Sequence, residues 1–152
     1  MRRRGVTLIE LVVVMAIIAI AAAFIAPNIG AWIPRYRVGS ATREVVSILR
    51  TAQMKAISTN IPFGVAFDND LCILYRSSGG FAAQPEQVKL PTGVMFDNNT
   101  FPVNGTLGKR YAEFNPNSTS FSGGVTLKSS NTKVRPKTIT LTSSTGRVNV
   151  SD

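Results

Sequence analysis

The feature that most narrows what this chain can fold into is an apolar run near its start. From Leu11 to Ala26 no side chain is charged or strongly polar, and from Val6 onward only Glu10 interrupts the run. At about 1.5 Å per residue, a helix from Val6 to Ala26 is about 30 Å long, the thickness of a bilayer's hydrocarbon core. Arg2, Arg3 and Arg4 precede it with no acid beside them. Basic residues flanking a first apolar segment hold that end in the cytoplasm. The expected topology is a single membrane pass, N-terminus inside, with the rest of the chain exported.

Glu10 is the residue that such a segment does not need. An ionised carboxylate in a bilayer interior costs roughly 3 kcal/mol or more, so an acid at this depth asks for a cation. The three arginines precede Glu10 by about two helical turns. Cleavage after Gly5 would put a new α-amino group on Val6, one turn from Glu10 and positive at neutral pH. Within one chain the two charges partly compensate. Between chains, the amine of one could meet the carboxylate of the next and fix the axial register of packed helices.

Gly5 followed by Val6-Thr7-Leu8-Ile9-Glu10-Leu11 resembles the class III signal of type IV pilins and type II secretion pseudopilins. In that family a membrane-bound prepilin peptidase removes a short basic leader after its glycine and methylates the new N-terminus. The resemblance implies that Gly5 ends the leader, that Val6 is methylated, and that Glu10 guides assembly with other pilins or pseudopilins into a helical filament. Pro27 stands where the family commonly carries a proline that loosens the helix. Valine after the cut departs from the more usual phenylalanine. Two other readings fit the same stretch. One is an ordinary secretory signal with Ala21-Ala22-Ala23 as its cleavage site, releasing a monomer. The other is a plain membrane anchor. Both leave Glu10 unexplained.

Behind the anchor the pattern changes. Ala41, Val45, Ile48, Leu49, Ala52, Ala56 and Ile57 recur at helical spacing, with Arg43, Glu44, Arg50, Gln53 and Lys55 between them. This predicts a helix from Val6 to about Thr59 whose second half lays one apolar stripe on a sheet. Pro34 and Gly39 are expected to kink it, and a break between Pro27 and Pro34 would give two helices instead. Phe63 to Phe67 and Leu71 to Tyr75 flank Asp68-Asn69-Asp70 and predict a hairpin. Ser77 to Gly80 predict a turn, and Val88 to Phe96 a strand broken at Pro91. Residues 97–110 predict an exposed loop. Further strands are expected at Tyr111–Phe114, Gly123–Leu127, Thr138–Thr142 and Arg147–Val150, about seven in all.

The fold class is therefore α+β: a long N-terminal α-helix, partly transmembrane, packed at its C-terminal half on a small antiparallel β domain. The expected divisions are a leader at 1–5, a membrane and filament-core helix at 6–27, its amphipathic continuation at 28–60 and a periplasmic β-rich domain at 61–152. Glu113-Phe114-Asn115-Pro116, Gly124-Val125-Thr126-Leu127, Ile139-Thr140-Leu141 and Gly146-Arg147-Val148 resemble the GspH/FimT branch of the pilin superfamily. That resemblance implies a pilin-like domain ending in two small sheets, with a Gly-Arg-Val turn in the last hairpin.

The residue inventory argues against catalysis. The chain has no histidine and one cysteine, Cys72, in an apolar run that predicts a buried side chain and no disulfide. Asp68 and Asp70 are the only close acidic pair and read as turn residues ahead of a calcium site. Gly105 to Arg110 lacks the spacing of a phosphate-binding loop. No cofactor and no metal are expected. Asn98, Asn104, Asn117 and Asn149 begin glycosylation sequons.

The formal charge is +9, and without residues 1–5 the balance is 14 basic to 8 acidic residues. Lys128, Lys133, Arg135, Lys137 and Arg147 make the last thirty residues basic, which allows salt-dependent contact with DNA phosphates. Some FimT-type relatives bind DNA during uptake through a Gly-Arg-x-Arg turn. Gly146 and Arg147 match it, but Asn149 replaces the second arginine, and no aromatic residue follows Phe121 to stack on bases. A DNA-binding minor pilin is the alternative to a purely structural subunit.

Overall fold

A computed structural model describes residues 5–152, apart from the side chains of 25–29 and 31. Arg2 to Arg4 and the Pro27 side chain therefore lie outside the described residues. One helix, α1, runs Leu8–Thr59, and nine strands follow. They are β1 Phe63–Asp68, β2 Leu71–Ser77, β3 Phe81–Lys89, β4 Val94–Asp97, β5 Val103–Asn104, β6 Lys109–Phe114, β7 Gly123–Ser129, β8 Lys137–Leu141 and β9 Val148–Ser151. The chain divides into two compact units, Met1–Ile33 and Pro34–Asp152.

In the N-terminal unit, Thr7 caps the helix. Its Oγ1 accepts from the Glu10 amide at 3.3 Å, and its carbonyl accepts from the Leu11 amide at 3.3 Å. A threonine followed three residues on by glutamate is the sequence of a capping box, and the helix consequently starts at Leu8 instead of Val6. Among the described residues no helix is long and apolar enough to cross a membrane. The described apolar side chains from Leu8 to Phe24 span about 25 Å of helix.

The second unit holds two antiparallel sheets, ordered β3-β2-β1-β6-β5 and β4-β7-β8-β9. All strands pair antiparallel. Val38, Ala41, Val45, Ile48, Leu49, Ala52 and Ala56 are all buried and share one core with both sheets. Three- and four-residue steps put them on one side of α1, which is why this stripe, and not the charged residues between, is covered. Ile57 departs from expectation. It is half exposed, because the stripe ends at Ala56 and the helix stops two residues later.

β1 is the central strand and buried on both sides. Its core face carries Phe63, Val65 and Phe67, opposite Leu74, Cys72, Ala112 and Phe114. On its other face the Tyr111 ring lies over Gly64, where any side chain would collide with that ring and with the Ala112 carbonyl. Cys72 is buried as expected, and burial pushes its thiol well above the ordinary range. The hairpin at Asp68-Asn69-Asp70 forms as expected, with Asn69 at positive φ.

Residues 97–110 are mostly exposed, as expected of a surface loop, with Phe101 the exception. Phe101 is fully buried, stacked on Phe67 at 5.3 Å, while Phe96 meets Phe67 edge-on at 5.5 Å. These three rings join the first sheet, the connection after β4, and the second sheet. Arg110 donates to the Phe101 carbonyl at 2.7 Å, and β5 adds a two-residue edge. Apart from Val88 and Lys89, β3 lies outside the expected strands. It is a partly exposed edge whose Pro85 falls where its register with β2 shifts between Ile73 and Tyr75, a position that needs no amide donor.

Truncating Phe101 to alanine should cost about 3–5 kcal/mol, whereas Ile57→Ala should change stability by no more than about 1 kcal/mol. Denaturant unfolding of the two variants measures the contrast. Lys55 on α1 is paired with Glu86 on β3, and this hydrogen bond lowers the Glu86 carboxyl below its usual value of 4.5. A lowered folded-state value contributes stability above the unfolded one and loses it as pH falls. The stability gap between the parent and Glu86→Gln should therefore be full at neutral pH and close below about pH 4.5, as read by unfolding at several pH values.

Candidate assembly surfaces

Two surfaces stand out once the core is subtracted. The first is the N-terminal helix itself. Leu8, Ile9, Leu11, Val12, Val13, Val14, Met15, Ile17, Ile18, Ile20 and Phe24 are each at least half exposed. A helix that is apolar all round belongs inside something, either a protein core or lipid. Glu10 sits in its first turn, where the helix dipole favours a negative charge, and Gly5 and Val6 precede the cap outside the helix. The sequence reading placed Glu10 correctly in the apolar segment but missed its partnership with Thr7. The Thr-x-x-Glu spacing was the available signal.

The second surface belongs to the Pro34–Asp152 unit and is basic. The five cations singled out in the sequence do not gather into one patch. β7 points Val125, Leu127 and Ser129 into the core and Lys128 outward, where it lies 3.9 Å from Asp97. β8 points Ile139 and Leu141 inward, and Lys137 shares their side. The two-residue repeat of a strand thus separates Lys128 and Lys137 onto opposite faces of one sheet. Arg147 is exposed at the β8–β9 turn.

Lys133, Arg135 and Lys137 do come together. With Arg35 and Val38 of α1, Val134 and Asp152 they line a concavity of about 370 Å³. Lys137 Nζ donates to Asp152 Oδ1 at 2.5 Å, and this bond, with Arg135 nearby, holds the Asp152 carboxyl below its ordinary range. Lys137 also borders a larger groove of about 650 Å³, between α1 and β9, with Arg43, Val46, Arg50 and Met54 on the helix side and Val150 on the strand side. Arg35, Arg43 and Arg50 were not among the expected site residues. Their steps of eight and seven residues put them on one helix face beside the core stripe, a spacing legible in the sequence.

The remaining candidates have structural partners. Asp68 pairs with Lys109, and Asp70 lies 3.9 Å from Lys89. Among the described residues no three possible ligands cluster as a metal site would require. In the turn after β5, Asn104 Oδ1 accepts from the amides of Thr106 and Leu107. Gly146 is buried with φ near 59°, and a Cβ there would sit 2.6 Å from the Ser118 carbonyl and 2.8 Å from Gln53 Nε2. The Gly-Arg-Val turn therefore needs its glycine to let the last hairpin reach α1.

Comparison with known proteins agrees with this architecture. Residues 1–26 match the prokaryotic N-terminal methylation motif, and residues 41–146 match the family of type II transport protein GspH. No curated protein matches the chain in sequence. Among solved structures, the type IV minor pilin FimU of Pseudomonas aeruginosa superposes with a TM-score of 0.60 at 14% identity, covering 78% of this chain and 90% of that one. The minor pseudopilin EpsH from the type 2 secretion system of Vibrio cholerae gives 0.58 at 13%, covering 74% and 93%. E. coli GspH gives 0.60 at 10%, covering 77% and 89%. At these identities the likeness is one of fold.

Gly146→Ala should destabilise the second unit by about 1–3 kcal/mol, since it combines left-handed strain with a collision. Arg147→Ala should be neutral within about 0.5 kcal/mol. Thermal unfolding of both variants distinguishes a glycine required by the backbone from an arginine free to serve elsewhere.

Proposed function

The chain belongs to the GspH family of pilin-like proteins, and we propose that it is a non-catalytic minor pilin or pseudopilin subunit, cut by prepilin peptidase after Gly5 and assembled into a type IV pilus or a type II secretion pseudopilus. The observation that carries this reading is the bare apolar helix from Leu8 to Phe24 with one acid in its first turn. Such a surface is incompatible with water and is satisfied either by lipid before assembly or by like helices after it.

The proposed sequence of events follows from the same residues. With its leader at 1–5 attached, the chain waits in the inner membrane, held by residues 6–27, with the β-rich domain at 61–152 in the periplasm and 28–60 connecting them. Prepilin peptidase frees the amine of Val6 and methylates it. On entry into the fibre, that amine lies against the Glu10 carboxylate of a neighbouring subunit, and each charge offsets the other's desolvation. Pro27 lets the helix adjust to its neighbours. The N-terminal methylation motif at residues 1–26 supports the processing, and the absence of histidine leaves little for a catalytic role.

Glu10→Gln keeps the helical geometry and removes only the charge. It should leave membrane insertion and leader removal intact and reduce incorporation into sheared fibres by about tenfold or more, for a pairing worth about 1.4 kcal/mol or more. Immunoblotting of membrane and fibre fractions measures both. Full incorporation of Glu10→Gln would refute the charge-pairing step.

A further inference from the structure

The groove between α1 and β9 has a property that neither a fibre core nor a solvated basic face requires. β9 ends its sheet, so one side of it has no neighbouring strand. The register Thr140↔Asn149 and Ile139↔Val150, together with the Thr142 amide donating to the Arg147 carbonyl at 3.1 Å, fixes which residues look outward. In an antiparallel ladder hydrogen-bonded and non-hydrogen-bonded pairs alternate. The Thr142–Arg147 pair is hydrogen-bonded, so Asn149 and Ser151 face β8. Val148 and Val150 turn their amides and carbonyls to the open side. Val150, one of these two residues, lines the groove.

The groove's walls match a particular occupant. Along α1 it extends from Gly39 to Met54, about 22 Å of helix, the reach of six or seven residues of extended chain. The Val150 side chain, paired across from buried Ile139, faces the helix side and is still 46% exposed; Met54 is 62% exposed. Arg43, Arg50 and Lys137 line the same groove, and no acid does. At its Lys137 end the neighbouring concavity already holds a carboxylate, that of Asp152. Bare strand edge, apolar floor and cationic rim together describe a seat for a β-strand with acidic side chains.

We propose that this groove binds an extended acidic peptide segment, which adds to β9 as a fifth strand of the second sheet, and that the segment belongs to a neighbouring subunit of the same fibre. The groove chemistry stands by itself; only the source of the segment rests on the fibre-subunit reading. Amides and carbonyls of Val148 and Val150 supply up to four main-chain hydrogen bonds. Arg43 and Arg50 receive carboxylates, and an apolar residue covers Val150 and Met54. A second copy of this chain is a poor occupant, since without residues 1–5 its 14 basic residues against 8 acidic ones still repel the rim. Nucleic acid would meet the cations, but the groove offers no aromatic ring on which a base could stack.

The test uses the full chain in nonionic detergent and three blocked eight-residue peptides. One alternates valine and glutamate, one alternates valine and lysine, and the third is the glutamate peptide N-methylated at alternate amides. The glutamate peptide should bind, and the amides of Val148 and Val150 should exchange with solvent about tenfold more slowly in its presence. The lysine peptide should bind at least about tenfold more weakly because its cations meet Arg43 and Arg50, and the peptide N-methylated on the amides that face β9 because each lost hydrogen bond is worth about 1 kcal/mol. Arg43→Glu with Arg50→Glu should weaken the glutamate peptide by a similar factor. So should Val150→Pro, which deletes one outward amide while leaving the β8 ladder whole.

Equal binding of the glutamate and N-methylated peptides would overturn strand addition. So would unchanged exchange at Val148 and Val150, tighter binding of a single-stranded oligonucleotide to the same groove, or dimerisation of the chain through it. Peptide binding together with normal fibres lacking any cross-link between a photoreactive group at Met54 and another subunit would keep the groove and overturn its fibre partner. Failure of Glu10→Gln to lower assembly would instead strike the charge-pairing step and leave the groove untouched.

Discussion

One contact organises the Pro34–Asp152 unit of this protein: the stripe Val38, Ala41, Val45, Ile48, Leu49, Ala52 and Ala56 of α1 buried against two sheets. Burying a valine, leucine or isoleucine contributes about 1.5–3 kcal/mol. Its four larger residues alone therefore contribute roughly 6–12 kcal/mol, the size of a whole domain's net stability. Neither sheet has an alternative cover for its apolar face. The aromatic trio Phe67, Phe96 and Phe101 closes the remaining seam, so the core is continuous from α1 through both sheets.

A helix has more than one face, and what the stripe leaves over defines the rest of the protein. Beside it, Arg35, Arg43, Val46, Arg50 and Met54 line concavities shared with Lys137 and the last strand. Toward the N-terminus the described side chains of the same helix, Leu8 to Phe24, are apolar and exposed apart from Glu10. In the function proposed here, one part of the sequence is complete in itself and another is completed by neighbouring subunits. Association through helices of this type relies on packing and on the few polar groups that must be paired in a dry environment. Glu10 is such a group.

How legible this was in the sequence depended on whether a signal was local. The helix, the hairpin around Asp68-Asn69-Asp70 and the alternation of Thr138 to Thr142 were all readable because spacing alone specifies them. The two terminal sheets and the Gly146-Arg147-Val148 turn followed from family resemblance, and the turn's glycine proves to be held by contacts from Ser118 and Gln53. Phe101 was missed because one aromatic in a polar stretch gains its meaning only from Phe67, thirty-odd residues earlier. β3 was missed because an exposed edge strand with Pro85 does not alternate apolar and polar side chains. The basic C-terminal segment misled in the opposite way: five cations close in sequence are divided by the pleat, and three of them join arginines of α1 instead.

The account rests on an acid that tolerates an apolar setting because cleavage supplies a cation for it. Intact-mass and fragment-ion spectrometry of the protein taken from assembled fibres tests that claim most directly. A chain beginning at Val6 and carrying one N-methyl group is the predicted result. Fibres whose subunits retain Arg2 to Arg4, or whose chains begin after Ala23, would contradict it.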